Sequence, residues 1–239
     1  MKKITTVIIG MGKMGRIRYR EMMIHGGFEV LGMCDVNEDA AKEFPEVFFS
    51  TDWKEVIDNC KAESVTVCTF NNLIPEITCY ALDQGMHVFS EKPPGRTVED
   101  VEMMQRSEKA SGKVLKFGFN HRFHYAIMEA KAMIDSGRFG NILWARGTYG
   151  KAGGNQFVGN WRSNKDLSGG GILMDQGIHM LDLLRYLSGE NFSCLASYLD
   201  SIFWEVENED NAFLILKSES GVLSSLHSSA NQWRHKFLL

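Results

Sequence analysis

Ile4-Thr5-Thr6-Val7-Ile8-Ile9-Gly10-Met11-Gly12-Lys13-Met14-Gly15 decides how the first half of this chain folds. Ile4–Ile9 are all β-branched and read as a strand; Gly10, Gly12 and Gly15 follow in G-x-G-x-x-G spacing, and Lys13–His25 reads as a helix. In that order the first glycine permits a tight turn and the second lets a pyrophosphate approach the main chain. The third lets the helix pack closely on the strand, with its amino end facing the phosphates. The spacing alone is equally a glycine-rich turn. Asp35 narrows the choice, because it ends the second expected strand 20 residues beyond Gly15, where a carboxylate can accept hydrogen bonds from ribose hydroxyls. Gly10, Met11, Gly12, Lys13, Met14, Gly15 and Asp35 are therefore the expected dinucleotide contacts. The same carboxylate would face the 2′-phosphate of NADP, so NAD is the expected cofactor in preference to NADP.

Outward from this turn, short β-branched runs alternate with helical stretches as far as about residue 118, the pattern of right-handed βαβ units and a parallel sheet. The expected strands are Ile4–Ile9, Glu29–Cys34, Ser64–Thr69, His87–Phe89 and Val114–Phe117. The expected helices are Lys13–His25, Asp52–Asn59, Pro75–Gln84 and Val98–Ser111, the last opened by Thr97 with Asp100 three residues on. Beyond residue 120 the pattern changes to a helix over Tyr125–Ser136, a glycine- and asparagine-rich loop over Gly147–Gly171, and an apolar helix over Asp175–Leu187. Ser193–Glu205, Asn211–Ser218 and Gly221–Ser229 then read as an antiparallel set of strands. The expected architecture is α/β: a doubly wound parallel sheet of Rossmann type over residues 1–119, then an α+β domain over residues 120–239 with a mainly antiparallel sheet.

Composition excludes several function classes. The 239 residues carry 26 Lys and Arg against 30 Asp and Glu, a formal charge of −4, which argues against a nucleic-acid partner. No stretch of about 18 apolar residues passes without a charge or a strongly polar group, so no membrane partner is expected. Met1-Lys2-Lys3 before Ile4 imitates the start of a signal peptide, but the apolar run is short and no A-x-A-like site follows. The five cysteines (Cys34, Cys60, Cys68, Cys79 and Cys194) are odd in number and form no C-x-x-C pair, which fits reduced thiols in the cytoplasm.

Three further groupings carry chemistry. Glu91-Lys92-Pro93-Pro94 follows the strand His87–Phe89 at the carboxyl edge of the sheet, where ligands of open α/β folds bind, and the prolines restrict the loop that presents Lys92. Asp175, His179 and Asp182 stand at i, i+4 and i+7 on an otherwise apolar helix. A buried histidine satisfied by a neighbouring aspartate gives the same pattern. A zinc site fits poorly, because the spacing is D-x-x-x-H and no cysteine is near; no metal is expected. Gly118-Phe119-Asn120-His121-Arg122-Phe123 leaves the last parallel strand and is expected to line the crevice between the two domains. Trp161-Arg162 offers an aromatic face and a guanidinium fork suited to hydroxylated or anionic ligands, although either arginine also reads as a surface group.

Taken together, the glycine turn, Glu91-Lys92-Pro93, Gly118–Phe123, Trp161-Arg162 and Asp175-x-Gly177-x-His179 resemble the Gfo/Idh/MocA oxidoreductases over nearly the whole chain. The resemblance implies a Rossmann domain followed by a domain with a large open sheet, using NAD or NADP to oxidise or reduce sugars, polyols or their derivatives. It implies that Lys92, Asp175 and His179 are catalytic, with Lys92 and His179 beside the reacting carbinol and Asp175 touching substrate. Thr69, Phe70, Asn71, Glu91 and Lys92 would line the cofactor, and Asn120, Arg122, Trp161, Arg162, Asp175 and His179 the substrate. Where the family commonly reads T-P-N-x-L-H, this chain has Thr69-Phe70-Asn71-Asn72-Leu73-Ile74, which alters the nicotinamide-side wall. The family's chains are longer and their sheet continues where this one stops in Phe237-Leu238-Leu239, so a truncated chain with an unpaired sheet edge is expected, together with a homodimer or homotetramer formed through that sheet.

The expected reaction passes a hydride between a carbinol carbon and the nicotinamide. His179 moves the hydroxyl proton and Lys92 polarises the reacting oxygen, because a lysine acting as acid and base near neutral pH would need its pKa lowered by about 3 units and a histidine almost none. There are two rivals: a glycoside hydrolase that oxidises its substrate transiently with tightly held NAD, and a non-catalytic sensor of dinucleotide or sugar, against which the joint presence of Lys92, Asp175 and His179 argues.

Overall fold

The computed structural model describes residues 2–153 and 158–239, and the chain forms two compact units, Met1–Gly118 and Phe119–Leu239. Met1, and residues 154–157 within the expected glycine- and asparagine-rich loop, lie outside the described residues.

The first unit runs β1 (Ile4–Ile9), α1 (Lys13–His25), β2 (Phe28–Cys34), β3 (Phe48–Ser50), α2 (Trp53–Cys60), β4 (Ser64–Val67), α3 (Ile74–Asp83), β5 (His87–Ser90), α4 (Val98–Ser111) and β6 (Leu115–Phe117). Its strands form one parallel sheet in the order β3-β2-β1-β4-β5-β6. Both faces are covered, which is why the strands carry apolar runs rather than alternation. Val7, Ile9, Val65, Val67 and Val88 pack with Ile74, Ile77, Leu82 and Met104, whereas Ile8 packs with Met11, Met33 and Ala40. Local signals set the helix starts. Thr97 and Asp100 make both bonds of a capping box at α4, and the Asp52 carboxylate accepts from the Lys54 N–H at α2.

The second unit begins with a 3-10 turn over Asn120–Phe123. It continues through α5 (Tyr125–Asp135), β7 (Trp144–Ala152), a 3-10 turn over Trp161–Ser163, α6 (Lys165–Ser168), a π-helical turn over Leu173–Gly177 and α7 (Ile178–Ser188). It closes with β8 (Phe192–Asp200), β9 (Asn211–Ser218), β10 (Leu223–Ser229) and β11 (Asn231–Leu238). The sheet order is β11-β7-β10-β9-β8; β7 and β10 run parallel, and the other neighbours antiparallel. One face is packed, with Tyr149, Leu214, Leu216 and Leu226 against Met180 and Leu184 of α7. The other face leaves Trp144, Tyr198, Phe213, Ile215 and Leu223 exposed.

Three expectations are corrected here, and one strand is added. The loop expected over Gly147–Gly171 contains most of β7, whose glycines serve packing: a Cβ at Gly147 would come within 2.3 Å of Met180 Cγ, and one at Gly150 within 2.4 Å of Gln232 Cγ. The added strand is β11, the eight residues before Leu239, which pairs antiparallel with β7 and forms an edge of the sheet. The helix expected from Asp175 opens as a π turn and becomes α-helical only at Ile178. The strand expected over Ser193–Glu205 ends at Asp200, because Asp210 gathers the chain that follows into a turn. Among the described residues, no helix is long and apolar enough to cross a membrane.

Candidate functional site

The carboxyl ends of four adjacent strands bring the first group of predicted residues together. In sheet order, the tip of β2 carries Asp35, that of β1 the turn Gly10–Gly15, that of β4 Thr69–Asn71, and that of β5 Glu91 and Lys92. The chain runs outward from β1 to β3 and then crosses to β4 on the other side, so strand order reverses between β1 and β4, the place where open α/β sheets bind ligands.

The three glycines of the turn differ in what requires them. Gly10 has φ of +94° and a Cβ there would lie 2.5 Å from the Cys68 carbonyl oxygen, so both its conformation and its neighbours exclude a side chain. At Gly15 a Cβ would lie 2.0 Å from the Gly10 carbonyl oxygen. Gly12 is unlike either. It caps α1 with φ of −65°, which any residue adopts, and a Cβ there would meet nothing within 4 Å. The fold itself does not require a glycine at 12, and the main chain at the helix start is left open on that side. The turn is held from both sides: Asp35 Oδ2 accepts from the Met11 N–H at 2.6 Å, and the Arg16 guanidinium donates to the Met11 carbonyl while pairing with Glu43. Met11 is fully buried, whereas Lys13 is exposed and Met14 half-buried.

Around this edge the thiols are quiet. Burial, helped by Asp35, pushes Cys34 up to about 12, and burial followed by Glu91 raises Cys68, so neither serves as a thiolate. Asn71 is buried and Phe70 exposed. The Glu91 side chain turns inward, where it pairs with Arg18 at 2.6 Å, and Arg18 in turn stacks on Phe89. Glu91 thus braces the tip of β5, and the half-buried Lys92 follows it.

The second unit assembles its own constellation. Asp175, in the π turn, accepts from Lys151 Nζ at 2.7 Å and from Arg162 Nε at 3.2 Å, and its side chain is 15% exposed. Arg162 lies over the Trp161 ring, 4.4 Å from its centroid. The segment carrying this pair is fixed by buried Asn208, which donates to the Arg162 carbonyl and to Ser168 Oγ. The start of the π turn is fixed by Glu209, whose carboxylate accepts from the Gly171 and Leu173 N–H groups. Gly171, last of the run Gly169-Gly170-Gly171, is a close approach, since a Cβ there would lie 2.0 Å from the Glu209 carbonyl oxygen.

His179, the second residue of α7, is 5% exposed and sits among rings. His121 meets it edge to face with centroids 4.3 Å apart, and Phe119 and Tyr149 complete the wall at 6.0 and 6.2 Å. Tyr149 Oη lies 3.3 Å from His121 Nε2, and Phe237 stacks on His121 with centroids 5.2 Å apart. Burial, then the Asp175 charge, raises the Tyr149 hydroxyl above its ordinary value. Asp182 does not share this box. It receives a bidentate pair from Arg122, Nε at 2.8 Å and Nη2 at 2.5 Å, and Arg122 lies over Tyr186. Arg122, expected at the substrate, is thereby engaged in tying the 3-10 turn to α7, while Asn120 at the start of that turn is exposed.

Sequence reasoning did not select Tyr149 or Lys151 for the site, and it named His121 only as part of the segment Gly118–Phe123. Tyr149 and Lys151 are two apart on one strand and so share a face, a period-2 signal hidden by the glycines that flank it.

Comparisons with known proteins place both halves of the chain in one family. Residues 4–119 match the oxidoreductase family with NAD-binding Rossmann fold, and residues 127–238 match the GFO/IDH/MocA C-terminal domain. The chain is 36% identical over 166 residues to levoglucosan dehydrogenase of Pseudarthrobacter phenanthrenivorans, covering 68% of this chain and 42% of that protein. It is 31% identical to D-glucoside 3-dehydrogenase of Escherichia coli, covering 78% of this chain and 54% of that one. The chain thus spans about half the length of these curated relatives. A solved structure of a levoglucosan dehydrogenase in complex with NADH and levoglucosan superposes with a TM-score of 0.90 at 27% identity, over 99% of this chain and 70% of that one.

Proposed function

The chain belongs to the Gfo/Idh/MocA family of oxidoreductases, and on that premise we propose that it oxidises or reduces a CH–OH group of a sugar, polyol or sugar derivative with a nicotinamide cofactor, NAD in preference to NADP. The observation that carries the cofactor half of this reading is Gly12, a glycine that the fold leaves unexplained and a bound pyrophosphate explains. The residues of the turn fit that group, and Asp35 stands at the adjacent strand tip for the adenosine ribose. Residues 1–119 would serve the cofactor and residues 120–239 the substrate.

When bound, the nicotinamide supplies the hydride acceptor or donor. Lys92 binds the reacting oxygen and stabilises negative charge on it. His179 takes up or returns the hydroxyl proton, which an imidazole does near neutral pH with little change from its ordinary value of about 6.5. Asp175 holds substrate hydroxyls and is itself oriented by Lys151 and Arg162. Trp161 and Asn120 line the substrate, and Arg122 acts at a distance by fixing the turn that carries Asn120 and His121. The five free thiols suit the cytoplasm, and the exposed side chains Trp144, Tyr198, Phe213, Ile215 and Leu223 suit a homodimer or homotetramer formed through that sheet face.

Titrating both cofactors against the protein tests the reading. A carboxylate at Asp35 and a 2′-phosphate about 4 Å apart at surface-like dielectric repel by about 1–4 kcal/mol, so NAD is expected to bind roughly ten- to several-hundred-fold more tightly than NADP. Asp35→Ser narrows the gap. Equal or tighter binding of NADP by the unaltered protein would overturn the assignment.

A further inference from the structure

As the proposed base, His179 must be neutral when it acts, and this buried side chain has a second imidazole against it. We infer that His121 is a positioning residue that keeps His179 unprotonated, the two rings holding a single proton between them across the neutral range with that proton on His121. The inference rests on the proposed role of His179.

Ring centroids 4.3 Å apart in an edge-to-face arrangement leave no room for solvent between two charges, so protonation of one imidazole disfavours protonation of the other. Three features put the first proton on His121. It is half-buried where His179 is 5% exposed, so its charge loses less hydration. Phe237 lies parallel to it with centroids 5.2 Å apart, presenting a π face to a cation. Tyr149 Oη stands 3.3 Å from His121 Nε2, placed to accept the N–H that protonation provides. The other titratable and charged groups around the pair are Asp175 on the π turn, Lys151 and Tyr149 on β7, Arg162 beside Asp175, the Arg122–Asp182 pair bordering His121, and His235 on β11 beside Tyr149. Asp175 carries two cations, which blunts its pull on an imidazolium.

The direct test is proton NMR of the imidazole Hε1 resonances, with that of His179 identified by its loss in His179→Asn. In His121→Gln, which keeps a hydrogen-bonding group beside Tyr149 but no titrating ring, and in His121→Phe, which keeps the aromatic wall, the His179 midpoint is expected to rise by about one pH unit. Turnover gives the second readout. The acid limb of kcat/KM moves up with it, so the rate near pH 6 falls about tenfold relative to that near pH 9. An unchanged His179 midpoint in both variants would overturn the inference and reduce His121 to packing. A shifted midpoint in a protein that turns over no sugar or polyol would support the coupling and overturn the dehydrogenase reading instead.

Discussion

Gly12 and Gly15 lie three residues apart, and only one of them is needed by the fold. Gly15→Ala would push a methyl into the Gly10 carbonyl oxygen at the crossing of α1 and β1 and is expected to lower stability by about 1–3 kcal/mol. Gly12→Ala is expected to leave stability within about 0.5 kcal/mol or to raise it, because its backbone is ordinary and the unfolded chain loses freedom. Gly12→Val, with a branched side chain over the helix start, is expected to weaken NAD binding tenfold or more at similar stability. Urea unfolding and cofactor titration on the three variants check this, and a Gly12→Val protein that binds NAD normally would contradict the cradle. At this scale the sequence was informative wherever spacing carries the chemistry. Asp35, Lys92 and the glycines all fall at strand tips, as their positions after β-branched runs implied. It was silent on partners: nothing in the spacing of Glu91 reveals that its carboxylate meets Arg18, 73 residues away, or that Arg122 meets Asp182, 60 residues away.

Elements in the parallel unit were legible because a strand buried on both faces and a capped helix announce themselves locally. The short strand Phe48–Ser50 escaped because three residues carry no period. The mixed sheet was harder. β7 contains Gly147 and Gly150 for the sake of Met180 and Gln232, contacts distant in sequence, and with β7 read as a loop Tyr149 and Lys151 lost their place in the site. The connection from β8 to β9 shows how one side chain can end a strand. Buried Asp210 accepts from the N–H groups of Ile202, Phe203 and Trp204 and from Asn211 Nδ2. Burial pushes its carboxyl up, but these donors outweigh that and hold it below the usual carboxylate range. Because its folded value is the lower one, its contribution is complete above the unfolded value of about 3.9 and is lost as pH falls from there through the folded value. Asp210→Asn is expected to cost about 2 kcal/mol near neutral pH, and its deficit against the parent protein is expected to shrink under acid conditions below about pH 4. Urea midpoints across that range check it; equal stability at neutral pH would show that the carboxylate is not the clasp.

For the molecule as a whole, the proposed function assigns one half of a redox chemistry to each unit. The parallel unit has a glycine turn beside the Asp35 carboxylate, and the mixed-sheet unit a buried imidazole with a carboxylate that two cations orient. What links them is the proposal that both act on one carbinol. That is tested most directly by following reduced-nicotinamide absorbance with NAD and a panel of sugars, polyols and sugar derivatives, on the parent protein, Lys92→Met and His179→Ala, with product analysis alongside. The account predicts stoichiometric NADH and ketone from at least one member of the panel, and loss of turnover in both variants with NAD affinity within a few-fold of the parent. NAD that stays bound with no net reduction while a glycoside is cleaved, or a His179→Ala protein that keeps most of its kcat, would contradict it.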